Sequence, residues 1–119
     1  MGQPLMDLVA EARKMVPTIA PGEAAKLMDE GNAVAVDVRN DGEVAKSGKV
    51  AGALHIPLDR VAEKCAAALD KDKTILLYCA SGARSALAGK LLLEHGYADV
   101  RNLGAFKQWT ESGGAVEHI

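Results

Sequence analysis

A thiol, two hydroxyls, a glycine and a guanidinium fall within one short run, Cys79-Ala80-Ser81-Gly82-Ala83-Arg84-Ser85. Only the thiolate of a cysteine is a nucleophile, and at an unperturbed pKa of ~8.5 about 3% of it is ionised at pH 7. Chemistry at Cys79 therefore needs neighbours that favour the anion, with about 1.4 kcal/mol of preferential stabilisation for each pKa unit of lowering. The residues after it can provide that. Gly82 gives the backbone freedom for a tight loop, Ser81 and Ser85 bring hydroxyl donors, and Arg84 brings a permanent cation with several N–H groups. With the loop amides, those of Ala80 and Ala83 included, they make an anion cradle with a thiol at its base. A cysteine that merely fills space at a strand end has no need of an adjoining Ser, Gly, Arg and Ser.

The flanking segments determine how such a cradle is held. Thr74-Ile75-Leu76-Leu77-Tyr78 is an apolar, strand-like run ending on Cys79, and Ser85 to Glu94 alternates apolar and polar residues at helical spacing. The turn thus joins a buried strand to a helix N-terminus, where backbone N–H groups are unpaired and carry partial positive charge. Ala33-Val34-Ala35-Val36 is a second continuous apolar run, ending at Asp37, as expected of a central parallel strand covered on both faces. In open parallel sheets chemistry gathers outside the carboxyl ends of the strands, where both Asp37 and Cys79 fall. Asp37 and Arg39 have two readings: they hold the loop and nearby turns, or they form an ion pair away from the cysteine. Neither is assigned to catalysis.

Elsewhere, Leu5 to Met15 reads as an N-terminal helix covering one face, and Pro17-Thr18-Ile19 as a short edge strand. Pro21 opens a helix running to about Glu30 and stopped by Gly31-Asn32. Asn40 to Ser47 reads as a polar stretch with a turn at Asp41-Gly42, Glu43 tying down the next segment. Leu54 to Pro57 is a short strand, and Asp59 is placed to cap a helix through about Leu69. Cys65 on that helix is a core residue or, alternatively, a second thiol able to resolve a persulfide or sulfenate on Cys79. Gly89 allows a close approach to the sheet, Phe106 and Trp109 are core positions on a last short helix, and a frayed tail begins at Ser112-Gly113-Gly114.

With 119 residues, 49% hydrophobic and 25% charged, the chain has the size and composition of one ordinary domain. A net charge of -2 and no basic block argue against binding nucleic acid. No apolar stretch is long enough to span a bilayer and no signal-peptide pattern opens the chain, so the expected compartment is the cytoplasm, without membrane association. Two distant cysteines and three scattered histidines offer no metal site. A monomer is expected rather than a dimer.

At Cys79 to Ser85 the chain resembles the rhodanese family, whose active loop runs from a Cys through Gly and Arg to a Ser that opens a helix. Three further stretches resemble it in the same order: Asp37-Val38-Arg39 with Glu43, Gly52-Ala53-Leu54-His55-Ile56-Pro57, and Gly96-Tyr97, Val100, Leu103-Gly104 and Trp109. Departures are Lys49-Val50-Ala51 where the family often has His before the Gly-Ala pair, Val44 in place of an aromatic, and Ala105 in place of a second Gly. The resemblance implies an α/β domain over residues 17–112, with a central parallel sheet flanked by helices on both faces. To this are added an extra N-terminal helix over 1–16 and a C-terminal tail over 113–119. It further implies that Cys79 carries a sulfane sulfur as a persulfide, in a site formed by Ala80, Ser81, Gly82, Ala83, Arg84 and Ser85. The donor is then a small anion such as thiosulfate, the acceptor cyanide, a small thiol or a thioredoxin-like protein, and no cofactor is needed. Two alternatives stay open: a cysteine phosphatase or arsenate reductase on the same fold, and a noncatalytic redox-sensing or protein-binding domain. Loop size separates the enzymes, since Cys79 to Arg84 is six residues and the phosphatase-like members resemble it with one more.

Overall fold

The computed structural model describes residues 4–118. The elements in chain order are α1 (Pro4–Met15), α2 (Pro21–Asp29), β1 (Ala33–Asp37), α3 (Asp41–Ser47), β2 (Lys49–Val50) and β3 (Leu54–His55). They continue with a 3-10 turn at Leu58–Arg60, α4 (Val61–Ala68), β4 (Thr74–Cys79), α5 (Ala83–Glu94), β5 (Val100–Ala105), α6 (Phe106–Glu111) and β6 (Val116–Glu117). The main sheet has the order β3-β1-β4-β5, with every pairing parallel. β4 lies inside it because Ile75, Leu76, Leu77 and Tyr78 leave neither face polar.

Alternation along β4 sends successive side chains into two cores. Ile75, Leu77 and Cys79 join Val36, Val61, Cys65, Ala88 and Leu92 under α4 and α5. Leu76 and Tyr78 join Ile19, Ala24, Leu103 and Trp109 under α2 and α6. Asp37 pairs with Tyr78 in the β1–β4 register and Cys79 with Ala105 in the β4–β5 register, so the carboxyl ends of the three strands are level. This α/β architecture, helices on both faces of a parallel sheet, is the expected one.

Several local expectations are corrected. Asn40 to Ser47 contains helix α3 instead of a turn, because Asn40 and Glu43 form a reciprocal cap: Glu43 N donates to Asn40 Oδ1 at 2.9 Å, and Asn40 N to Glu43 Oε1 at 3.1 Å. Asp59 does not cap α4. Arg60 N bonds Pro57 O at 2.8 Å, which winds Leu58–Arg60 into the 3-10 turn that leads into the helix. The expected strand at Pro17–Ile19 shrinks to one parallel bridge, Thr18 to Asn102, since Pro17 has no N–H for a ladder.

The C-terminal segment is not frayed over 116–117. Val116 and Glu117 pair antiparallel with Val50 and Lys49, Lys49 forms an ion pair with Glu117, and Trp109 Nε1 donates to Ala115 O at 2.8 Å. Gly89 meets α1 instead of the sheet: a Cβ there would stand 2.8 Å from Val16 Cγ2. Ala12 and Val16 seat α1 on α5, whereas Leu5 and Leu8 from the same apolar stripe are 64% and 46% exposed. Cys65 is buried, as the core reading expects. Among the described residues no helix is long and apolar enough to cross a membrane.

Candidate active site

β4 delivers Cys79 to the base of the loop, and Gly82 closes the loop onto α5. Gly82 has φ +91°, a conformation open to glycine at little cost. Its N–H donates to Cys79 Sγ at 3.0 Å. Ala80 and Ser81 form the exposed tip, while Ala83 and Arg84 begin α5 and are half-buried. Burial is the largest influence on the thiol and pushes its pKa up. The Ser85 hydroxyl and the amides of Ser85, Ser81 and Gly82 together outweigh it and leave Cys79 below its ordinary value. The cradle thus acts mainly through backbone and hydroxyl donors.

Ser85 Oγ lies 3.6 Å from Cys79 Sγ and donates to Asn102 Oδ1 at 2.7 Å. A hydroxyl has one hydrogen, so with Ser85 donating to Asn102 the neutral thiol donates to Ser85 Oγ. Once the thiolate forms, rotation of the Ser85 hydroxyl brings that hydrogen to the sulfur.

Asn102, which residue spacing does not single out, is the hub of the loop. Its Nδ2 donates to Gly82 O at 3.0 Å, and its Oδ1 also accepts from Gly104 N at 2.9 Å. A bulge puts it there. Leu77 pairs with Asn102 but Tyr78 with Gly104, so Leu103 is an extra residue in β5 beside the active loop. Its one local signal is an asparagine, a residue depleted in strands, two positions before Gly104. Asn102→Ala is expected to lose about 2–4 kcal/mol, because it leaves buried loop groups without partners. It should also raise the pH midpoint of Cys79 alkylation by iodoacetamide. Denaturant unfolding and the alkylation profile measure both, and unchanged values would mean that the loop holds its shape without Asn102.

Arg84 does not stand free in the cradle. Its Nη1 and Nη2 donate to Glu43 Oε1 and Oε2 at 2.6 and 2.9 Å, a bidentate pair. The Arg84 hydrogen bond is the main reason Glu43 is held down at about 2; burial opposes it, and the Asn40 amide and the charges of Arg84 and Arg39 assist. A carboxyl depressed in the folded state stabilises the fold above its unfolded pKa. The Glu43 contribution is therefore intact above the ordinary glutamate range and is lost as pH falls toward about 2. Arg84 is raised first by Glu43, against burial, with the nearby Cys79 adding to the shift.

Asp37 and Arg39 form a buried ion pair with each other. Asp37 is fully buried and takes Arg39 N, Nε and Nη2 at 2.9, 3.0 and 2.7 Å. Arg39 Nη1 and Nη2 also reach Ser47 Oγ and Gly48 O, both at 2.8 Å, and its guanidinium lies 4.4 Å from the Phe106 ring centroid. Burial opposes the charge of Arg39, and its bonds to Asp37 keep the pKa raised. The pair is an internal ion pair that does not reach Cys79. It anchors one end of α3, whose other end holds Glu43 on Arg84.

A parallel sheet that ends in a cysteine loop, closed by glycine onto a helix N-terminus, defines an α/β domain whose loop donors favour a thiolate. The family model of the rhodanese-like domain matches residues 20–112, and the chain belongs to that family. It is 41% identical over 73 residues to the thiosulfate sulfurtransferase PspE of Escherichia coli, spanning 60% of this chain and 69% of that one. It is 33% identical over 96 residues to the thiosulfate sulfurtransferase GlpE of Coxiella burnetii, spanning 80% and 88%. Among solved structures, a Rhodopseudomonas palustris protein of unknown function, described as a possible tyrosine phosphatase, superposes with a TM-score of 0.84 at 26% identity. That match covers 98% of this chain and 96% of the other.

Proposed function

We propose that the protein is a sulfurtransferase that moves the outer sulfur of thiosulfate, or of a similar anionic donor, to an acceptor through a persulfide on Cys79. The Cys79 thiolate attacks the sulfane sulfur, the donor's S–S bond breaks, and sulfite leaves with the bonding pair. The persulfide anion then lies in the cradle under the Gly82 amide, the donor that is 3.0 Å from Sγ. Cyanide attacks the outer sulfur and leaves as thiocyanate, or a thiolate attacks and leaves as a persulfide. Either step restores the Cys79 thiolate. Neither step requires a cofactor, and a small thiol or a thioredoxin-like protein fits the second. Since Cys79 has no exposed surface, the Ala80-Ser81 tip must yield for the donor to enter.

The observation that carries this reading is the loop itself, six residues from Cys79 to Arg84, with its amides turned in on the sulfur of a thiol held below its ordinary pKa. A loop of that size holds one outer sulfur better than a tetrahedral phosphoryl group. Intact-protein mass spectrometry tests it: thiosulfate should add one sulfur atom and cyanide remove it. No added sulfur together with robust aryl phosphate hydrolysis would move the protein to phosphatase chemistry.

The Glu43–Arg84 pair leads to a second expected result. Glu43→Gln keeps a capping acceptor but leaves the Arg84 charge uncompensated beside the sulfur, so the alkylation midpoint of Cys79 should move to lower pH. An unmoved midpoint would mean that the Arg84 charge does not reach the thiolate.

A further inference from the structure

Arg13 lies on α1, before the first residue matched by the family model, yet it stands over the active loop. A Cβ on Gly82 would be 3.6 and 3.7 Å from Arg13 Nη1 and Nη2, and Gly82 N is itself 3.0 Å from Cys79 Sγ. Through the bonds of Gly82 the guanidinium is therefore no more than about 10 Å from the sulfur. Beside the guanidinium opens a cleft of about 470 Å³ whose walls include Arg13, Thr18, Ser81, Gly82, Gly104 and Gln108, with the buried Cys79 behind the Gly82 backbone. The packing of α1 fixes this placement. Ala12 and Val16 are buried on either side of Arg13 in sequence, Val16 sits against Gly89, and Glu11 forms an ion pair with Lys90 of α5 at 3.0 Å.

Charge pairing sets Arg13 apart from the site's other guanidiniums. Arg84 is engaged by Glu43 and Arg39 by Asp37, whereas Arg13 forms no ion pair among the described residues. In a donor whose sulfane sulfur touches Sγ, the sulfonate oxygens lie a few ångströms beyond it, a separation that a guanidinium no more than about 10 Å from the sulfur can span. We propose that Arg13 is a specificity-determining binding residue: it receives the oxyanion end of the donor, then the departing sulfite, and so selects sulfane–sulfonate donors over uncharged ones. This rests on the sulfur-transfer reading, in which the sulfane sulfur bonds to Sγ and sulfite leaves with the electrons of the broken S–S bond. The acceptor half-reaction carries no sulfonate and is independent of Arg13.

The test uses the full chain and the variants Arg13→Met, Arg13→Glu and Arg13→Lys, all at an exposed position outside the core. Persulfide formation from thiosulfate, followed in single turnover by mass, should slow about fivefold in Arg13→Met, more in Arg13→Glu, and little in Arg13→Lys. Sulfite affinity, measured by calorimetry, should fall in parallel, while discharge of the loaded persulfide by dithiothreitol keeps its rate. Equal formation rates and equal sulfite affinities in wild type and Arg13→Met would overturn the role of Arg13 and leave the sulfur-transfer reading intact. A wild type that forms no persulfide, yet binds sulfite in an Arg13-dependent way, would overturn the transfer reading and keep Arg13 as the anion-binding residue.

Discussion

Cys79→Ser should reduce thiosulfate-to-cyanide transfer to background while leaving the protein folded. The reason is chemical: a serine oxygen at this position remains a neutral hydroxyl near pH 7 and cannot form a persulfide, so neither half-reaction has a starting point. The fold tolerates the change because the two side chains are close in size, and Gly82 N–H and Ser85 Oγ, the groups around Sγ, can hydrogen-bond to an oxygen. Circular dichroism and denaturant unfolding would confirm the intact fold on the preparation used for the assay. Transfer by the variant at a rate comparable to wild type would remove Cys79 from the mechanism.

The largest expected effect on stability lies at Asp37. Asp37→Ala removes the partner of a guanidinium that is itself only 4% exposed, leaving a buried cation with no compensating charge. Breaking a buried pair in this way costs about 3–5 kcal/mol, a large share of the ~5–15 kcal/mol that a domain has in total. Urea unfolding should show the loss as a lowered midpoint at nearly constant slope. Replacing both members, Asp37→Leu with Arg39→Met, should recover much of it, because the uncompensated charge is then gone. A single-variant loss below about 1 kcal/mol would mean that water or a neighbouring carboxylate takes over the charge of Arg39. The Asp37→Ala protein should also transfer sulfur more slowly while folded, since α3 would lose its anchor and Glu43 its hold on Arg84.

The local signals in the chain were strong where one segment satisfied its own requirements. The runs Ala33-Val34-Ala35-Val36 and Ile75-Leu76-Leu77-Tyr78 are short and apolar throughout, as a strand covered on both faces requires; the parallel sheet and the level ends carrying Asp37 and Cys79 agree with it. The loop was legible for a similar reason. Gly82 and the start of α5 are adjacent to Cys79 in sequence, so the amides that serve the thiol come from its own next six residues.

Helix α3 also has a local signal, the reciprocal cap of Asn40 and Glu43, but Asp41-Gly42 is equally good turn chemistry and competes with it. The cap wins because it satisfies two otherwise unpaired helix N–H groups at once. By itself, then, the sequence determined the strand–loop–helix that surrounds the Cys79 thiol with amides, the parallel sheet beneath it and the family to which both belong.

Only the tertiary structure decided which partners are brought in from far along the chain. Asn102 reaches the loop through a bulge in a neighbouring strand, Glu43 holds Arg84 across 41 positions, and Val116 and Glu117 close back onto Lys49 and Val50. Arg13 arrives over Gly82 because α1 packs into the space left by Gly89. None of these pairings leaves a mark in residue spacing, because a hydrogen bond or an ion pair between distant segments depends on where packing sets the backbones, to within an ångström or so. Cys79 and the amides around it are products of local sequence. Which cations near it are paired among the described residues is decided by the packing of the helices on one another and on the sheet.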